Sequence, residues 1–364
     1  MEDPPRLEMT IQSGGKLIGQ GTYGCVYDPP LVTYGKQAKG KSKGKLGKVV
    51  HVSDLELEIG IAKILQTFPD TKKYCIIPEV KTLSKPLPMK QQVEKDLHKC
   101  VSLNRFGQGD MYQYELENGG VPLKVFIESP SYPIKTFPIF SFMRELLEIG
   151  AFLLLHGCIH NDLHASNIVM KSPKDPLPRL IDFGRSYTYN SINRGLVEKL
   201  RAHYDSGIHQ ITPECSAQFG LQEKISFSQV LQDLHDKKAG IRFGESILGV
   251  SRKTQIAEFA AFWKSSSSAR NGDWPTFYSY YWHVVDSWAI GTILLSILRR
   301  LLLIKEFTEG EEWKAKGPLV KEILRGLLRA SPRERSDCLV ALAMYDPTNH
   351  FVVGNAGKAW LASR

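Results

Sequence analysis

Apolar positions change their spacing about a third of the way along the chain. Residues 16–34 read as two strands joined by a glycine-rich turn, and Gly47–Val52 (GKVVHV) reads as a third short strand. A helix follows, capped by Ser53 or Asp54, with Leu55, Ile59, Ala62 and Leu65 recurring at helical spacing. Past Pro69 the pattern is one of short strands and turns as far as Gly119-Gly120. From Ile139 to His156 it becomes a long apolar helix (FSFMRELLEIGAFLLLH), and a second buried helix begins near Val284 and runs past Ser296. Polar helical stretches fill 214–285. A strand-rich first third and a helix-rich remainder predict an α+β protein of two unlike lobes with a cleft between them.

Charge and cysteine usage narrow this picture only a little. The formal net charge of +9 is accounted for by a solvated basic face, a nucleotide or an acidic substrate as readily as by nucleic acid. Its densest part, residues 35–47 (GKQAKGKSKGKLG), has no apolar periodicity and reads as a flexible basic loop. A nucleic-acid role would rest on that run alone and is not the favoured reading. Six cysteines at 25, 75, 100, 158, 215 and 338 have no CxxC spacing, which argues against a zinc site and suits a reducing compartment. The N-terminus MEDPPRLEMT lacks the apolar core of a signal peptide. The longest apolar run, around Trp288–Ile304, is interrupted by Arg299-Arg300. It therefore reads as a buried helix rather than a membrane span, which needs about 20 apolar residues.

The chemistry is concentrated in four short stretches. His160-Asn161-Asp162-Leu163-His164-Ala165-Ser166-Asn167 is followed, fifteen residues after Asn167, by Asp182-Phe183-Gly184, with the apolar Ile168-Val169-Met170 between them. Two carboxylates and an amide on two loops are what phosphoryl transfer needs: one carboxylate to orient a hydroxyl, the other and the amide to hold Mg²⁺ against a triphosphate. Asp162 is the candidate catalytic carboxylate, and Asn167 and Asp182 are the candidate metal ligands. His160 reads as a buried histidine bonded to backbone rather than a base. Gly19, Gly21 and Gly24, in GQGTYGCVY, would let backbone N–H groups approach phosphates. Val26-Tyr27 continue as strand rather than opening a helix, which favours a hairpin flap over a Rossmann turn. Lys48 lies in the third strand and would bind phosphates. Glu58 heads an amphipathic helix and would steady Lys48, whereas Glu56 points about 200° around that helix.

Together these motifs resemble the eukaryotic-type protein kinase family, over about residues 14–340. The likeness is greatest to the divergent Ser/Thr kinase-like proteins of large nucleocytoplasmic DNA viruses such as iridoviruses. The resemblance implies a two-lobe kinase-like fold, with a small β-rich lobe and hinge over 1–118 and a larger helical lobe over 119–364. It implies an enzyme that uses ATP and Mg²⁺ to phosphorylate Ser/Thr in a protein substrate, with no membrane partner. A cytoplasmic location follows, in the host cell or the virion if the protein is viral. Gly19, Gly21, Gly24, Val26 and Lys48 would meet the nucleotide. Tyr114-Glu115-Leu116-Glu117-Asn118-Gly119-Gly120 looks like the hinge, with Tyr114 as gatekeeper and backbone near Glu115 and Glu117 meeting adenine. Phe183 would pack under the Glu58 helix. Thr212-Pro213-Glu214 looks like the end of the activation segment, with Arg335 as partner of Glu214, and Asp286-Ser287-Trp288 looks like the start of the central helix.

The departures matter too. Asn161 stands where the family has arginine, which puts control by loop phosphorylation in doubt. His164 stands where a lysine contacts the γ-phosphate, as in small-molecule phosphotransferases and UbiB-type kinases, and its charge depends on pH. Ser206–Ile211 lacks the usual docking threonine and aromatic. Residues 215–285 read as an insertion on the substrate side that could take a protein partner. A small-molecule kinase and a non-catalytic pseudokinase scaffold are therefore the competing expectations.

Overall fold

In the computed structural model the described residues are 15–21, 24–34, 44–86, 99–102, 110–128, 134–172 and 177–364. The protein is α+β, with a small antiparallel sheet in the N-terminal region and a larger helical C-terminal region. Two compact units divide the chain: one reaches Gly119 and takes in Asp182–Gly184, and the other comprises Gly120–Ile181 and Arg185–Arg364.

The first unit is built on a five-stranded sheet ordered β1-β2-β3-β5-β4. Its strands are β1 Lys16–Gln20, β2 Gly24–Asp28, β3 Lys45–His51, β4 Glu79–Ser84 and β5 Met111–Glu117. Register places Val26 opposite Lys48 and Lys48 opposite Tyr114. Partners directly across a ladder share a face, so these three side chains form one row. The neighbouring row carries the other face: Cys25, Val49 and Gln113 are all buried. Gln113 closes that side by accepting from the Leu31 N–H and donating to the Leu31 carbonyl, both at 2.9 Å.

The helix after β3 runs Val52–Leu65 and buries Leu55, Ile59, Ala62 and Leu65 as its periodicity requires. Its cap differs from the expectation. His51 is the N-cap, its Nδ1 accepting from the Ser53 N–H, so Ser53 and Asp54 lie inside the first turn. A short helix, Thr71–Tyr74, occupies part of the stretch expected to hold only strands and turns. Of the basic run, residues 35–43 lie outside the described residues, and Lys45–Gly47 belong to β3 rather than to a loop.

A disulfide joins Cys25 to Cys100, with Cα atoms 6.0 Å apart. This does not fit the reducing compartment that the scattered spacing suggested. The bond links positions 75 residues apart, brought together by β2 and the 99–102 segment, and linear spacing carries no trace of it. Cys75, Cys158, Cys215 and Cys338 are buried thiols.

The second unit is organised by three long helices, Ile139–Leu155, Val285–Leu301 and Glu311–Leu327. The Val285–Leu301 helix packs against both others and buries thirteen of its seventeen residues, so it is the core of the unit. Among the described residues no helix is long and apolar enough to cross a membrane. Two small ladders sit beside this core. One, of β6 Val121–Pro122, β8 Ile168–Met170 and β9 Arg179–Leu180, is ordered β6-β8-β9; the other pairs β7 Cys158–Ile159 with β10 Tyr187–Thr188.

Residues 213–281 are helical, as the sequence pattern suggests, and pack as a layer. Their helices are Pro213–Gln222, Phe227–Lys237, Ala239–Leu248, Arg252–Ser265, Ser267–Asn271 and Trp274–Tyr281. Phe259, Phe262, Trp263 and Phe277 form their own aromatic core, with ring centroids 5.7–6.3 Å apart, a spacing suited to tilted and edge-to-face packing. Helix Ala239–Leu248 docks on Val285–Leu301 and Glu311–Leu327. The stretch anticipated as an insertion thus packs against the core through this helix.

Candidate active site

Strand β3 and the Val52–Leu65 helix each contribute one charge to a buried cluster in the first unit. Lys48 Nζ donates to Glu58 Oε1 at 2.9 Å, to Glu58 Oε2 at 3.0 Å and to Asp182 Oδ1 at 2.8 Å. Glu56 is exposed, as the helical phase requires. Burial alone would lower the Lys48 ammonium; Asp182 and then Glu58 outweigh it and hold the group above its ordinary range. Tyr114, opposite Lys48 on β5, is fully buried. Burial first, and then the Glu58 carboxylate, push its phenol well above the usual value. An ammonium fixed by two carboxylates on one side of the sheet is suited to binding a phosphate chain.

Asp182 reaches this cluster with φ at 65°, the left-handed region in which aspartate is enriched. Phe183 beside it is buried. A Cβ added to Gly184 would lie 3.4 Å from Asp182 Oδ1 and 4.0 Å from Glu58 Oε2, ordinary contact distances, so space for a side chain is not what requires glycine there. At the far end of β5, the Glu115 N–H donates to Thr82 Oγ1 at 2.8 Å. Glu117 closes β5, two residues before the boundary at Gly119.

The three glycines of the β1–β2 turn have different reasons for being glycine. A Cβ on Gly24 would sit 2.4 Å from the Val49 carbonyl oxygen and 2.9 Å from Val50 Cγ1, whereas one on Gly21 meets nothing within 4 Å. Gly24→Ala is therefore expected to destabilise by about 1–3 kcal/mol through overpacking. Gly21→Ala should leave stability unchanged. Urea unfolding of the two variants checks the contrast, which is lost if both unfold at the same midpoint. Thr22 and Tyr23, within the motif, lie outside the described residues.

The loop at 160–167 belongs to the second unit and is anchored by the central helix. Asp286, near the start of that helix, accepts from the His160 N–H at 2.7 Å and the Asn161 N–H at 2.9 Å. Burial raises the pKa of Asp286, while His160 and the two backbone donors oppose that rise. His160 is fully buried, with Nε2 at 3.0 Å from the Ile181 carbonyl and Nδ1 facing the Asp162 N–H at 3.3 Å. Both ring nitrogens therefore meet backbone groups, and His160 is a buried histidine bonded to backbone, as its place in the sequence suggests. Asn161 has φ 61°, and asparagine accepts that conformation more readily than most side chains. Its amide donates to the Arg185 carbonyl at 3.4 Å. The departure from arginine at this position thus has a local backbone use.

Asp162 is gathered with Asn167 and His164. Asn167 Nδ2 donates to the Asp162 carbonyl at 3.0 Å and lies 3.5 Å from Oδ2. His164 Nε2 lies 3.9 Å from the same Oδ2, and His164 Nδ1 accepts from the Ser166 N–H at 3.2 Å. That bond puts the proton of a neutral His164 on Nε2, the atom nearer the carboxylate. The Ile181 N–H donates to the Asn167 carbonyl at 3.0 Å, so the β8–β9 pairing brings the chain alongside Asn167 one residue before Asp182. Glu214 and Arg335 form a fully buried bidentate pair at 2.8 and 2.9 Å.

Sequence reasoning missed Gln210, whose Nε2 lies 3.4 Å from Asp162 Oδ1, and Lys238, a fully buried lysine. Neither stands in a motif; folding brings Gln210 to Asp162 and Lys238 to the Ile208 carbonyl and Ser216. Among the described residues no group of three or more His, Cys, Asp and Glu side chains could cage a metal by itself. Neither a protein-family model nor a curated protein matches the chain.

Proposed function

We propose that this chain is an ATP/Mg²⁺-dependent protein kinase of the eukaryotic type, its two units being the small and large lobes. The observation that carries the reading is the Lys48–Glu58–Asp182 cluster. Three charges from positions 48, 58 and 182 meet within 3.0 Å, and they are the three that a kinase needs for phosphates and metal. The anchored Asp162–Asn167 loop adds the group that orients the nucleophile. In this mechanism Lys48 binds the α/β-phosphates. Asp162 takes the proton of a Ser or Thr hydroxyl as its oxygen bonds to the γ-phosphorus and the bond to ADP breaks.

Mg²⁺ fits the chemistry of the donors: Asp182 would offer a carboxylate oxygen and Asn167 an amide oxygen, both hard ligands. Mg²⁺ is usually held by one or two carboxylates with substrate phosphates completing the shell, so a protein-only cage is not required. When bound, it neutralises charge developing on the phosphates.

A ligand at 100 times its dissociation constant stabilises by about 2.7 kcal/mol. ATP with Mg²⁺ is therefore expected to raise the melting temperature of the wild type, and Lys48→Met to abolish the rise. A non-catalytic scaffold would show no shift and no turnover. The proximity of His164 to Asp162 favours a second reading, a small-molecule kinase. γ-Labelled ATP incubated with separate protein and metabolite extracts distinguishes the two, since label confined to metabolites would displace the protein-kinase reading.

A further inference from the structure

The loop between Tyr204 and Thr212 is held at several points by side chains from outside it. Tyr204 donates its N–H to Glu223 Oε1 at 3.0 Å and its hydroxyl to Asp233 Oδ2 at 2.9 Å. Lys238 Nζ donates to the Ile208 carbonyl at 2.9 Å and to Ser216 Oγ at 3.0 Å. Trp288 Nε1 donates to the His209 carbonyl at 3.0 Å. Thr212 ends the loop by capping the Pro213–Gln222 helix. Two of these fixed carbonyls, at 208 and 209, directly precede Gln210, whose amide reaches Asp162 Oδ1 at 3.4 Å.

Lys238 is an unusual choice for such a post. It sits where the Phe227–Lys237 and Ala239–Leu248 helices meet, as C-cap of one and N-cap of the next. It is fully buried, and burial pushes its ammonium down to about 7. Burying an amine is costly unless hydrogen bonds compensate, and its two acceptors are a loop carbonyl and a helix hydroxyl. An apolar residue would pack there at lower cost but would leave the Ile208 carbonyl without this donor.

The geometry points to Lys238 as a positioning residue: it braces the 204–212 loop from the 213–248 helices so that Gln210 stays on the Asp162 carboxylate without loop phosphorylation. This rests on the kinase reading. It gives the segment between Glu214 and Asp286 a job within its own chain, and it explains how the loop is ordered although Asn161 supplies no cation for a phosphate. Asp162 is then flanked by Gln210 on Oδ1 and by Asn167 and His164 on Oδ2. Amide donors on both oxygens, Gln210 on Oδ1 and Asn167 on Oδ2, would hold the carboxylate in one orientation for an incoming hydroxyl.

The test uses the full chain as wild type, Gln210→Ala, Lys238→Met, the double variant and the milder Ser216→Ala. Amide hydrogen exchange over 204–212 is read first, because it does not depend on activity. Lys238→Met should speed exchange there by about tenfold and Ser216→Ala by about threefold, as local opening free energies fall, while Gln210→Ala leaves it unchanged. In transfer assays Gln210→Ala and Lys238→Met should each lower kcat by about tenfold with the KM for ATP unchanged, the signature of a lost transition-state interaction. The double variant should be no slower than the worse single one, because Lys238 acts through Gln210. Phosphatase treatment should leave the wild type active.

Unchanged exchange over 204–212 in folded Lys238→Met, or in Ser216→Ala, overturns the brace. So do multiplicative kcat losses in the double variant, or activity lost on phosphatase treatment. Wild type that transfers no phosphate to protein removes the kinase reading instead, and the exchange data still decide whether Lys238 holds the loop.

Discussion

Asp162→Ala is expected to lower γ-phosphate transfer by about 10²–10⁴-fold, the range contributed by a positioned acid–base group, and to leave ATP binding intact. The two halves of that result have separate structural sources. Phosphate binding is assigned to Lys48, whose partners Glu58 and Asp182 lie in the first unit. Asp162 belongs to the other unit and takes no part in that cluster. Its backbone is held by the His160 ring, and its loop by Asp286, so removing the carboxylate leaves the loop anchored. The thermal shift with ATP and Mg²⁺ should therefore match that of the wild type, while label in protein falls to background. Asp162→Asn keeps the shape without the base and should be as inactive. Undiminished transfer by either variant would remove Asp162 from the mechanism.

Elements with a strong local signal were legible in the sequence. Lys48 stood out because strand residues flank it, and Glu58 from Glu56 because one helical face is apolar. Both distinctions concern which way a side chain points, and periodicity carries that information. The Glu214–Arg335 pair was expected from the family resemblance, and it forms. What escaped was set by tertiary packing. Cys25 and Cys100 meet through chain reversal. His51 caps a helix that Ser53 and Asp54 were better placed to cap by preference. The 215–285 stretch reads as a helical insertion by its length, but that its helices carry an aromatic core and dock on the central helix through Ala239–Leu248 was not legible. Gln210 and Lys238 carry no motif at all.

The largest stability change should come from the pair that joins the end of the Tyr204–Thr212 loop to the rest of the helical unit. Arg335 and Glu214 are both buried to within about one per cent of full exclusion, and their contact is bidentate. Arg335 also donates to the carbonyls of Arg329, Ala330 and Val284, and its guanidinium lies 5.2 Å from the Trp288 ring centre. Glu214→Ala leaves that guanidinium charged and buried without its carboxylate. Breaking a buried pair from one side typically costs about 3–5 kcal/mol, a large share of the roughly 5–15 kcal/mol that stabilises a folded domain. Arg335→Met should cost a similar amount, because it strands a buried carboxylate together with three carbonyls. The double variant Glu214→Leu/Arg335→Met removes both charges and should recover part of the loss, since the desolvation cost disappears with them. Urea unfolding followed by tryptophan fluorescence measures all three. Single variants within about 1 kcal/mol of wild type, the value of an exposed pair, would show that the contact does not hold this unit together. A double variant as unstable as the sum of the singles would show that the charges matter through their separate partners rather than through each other.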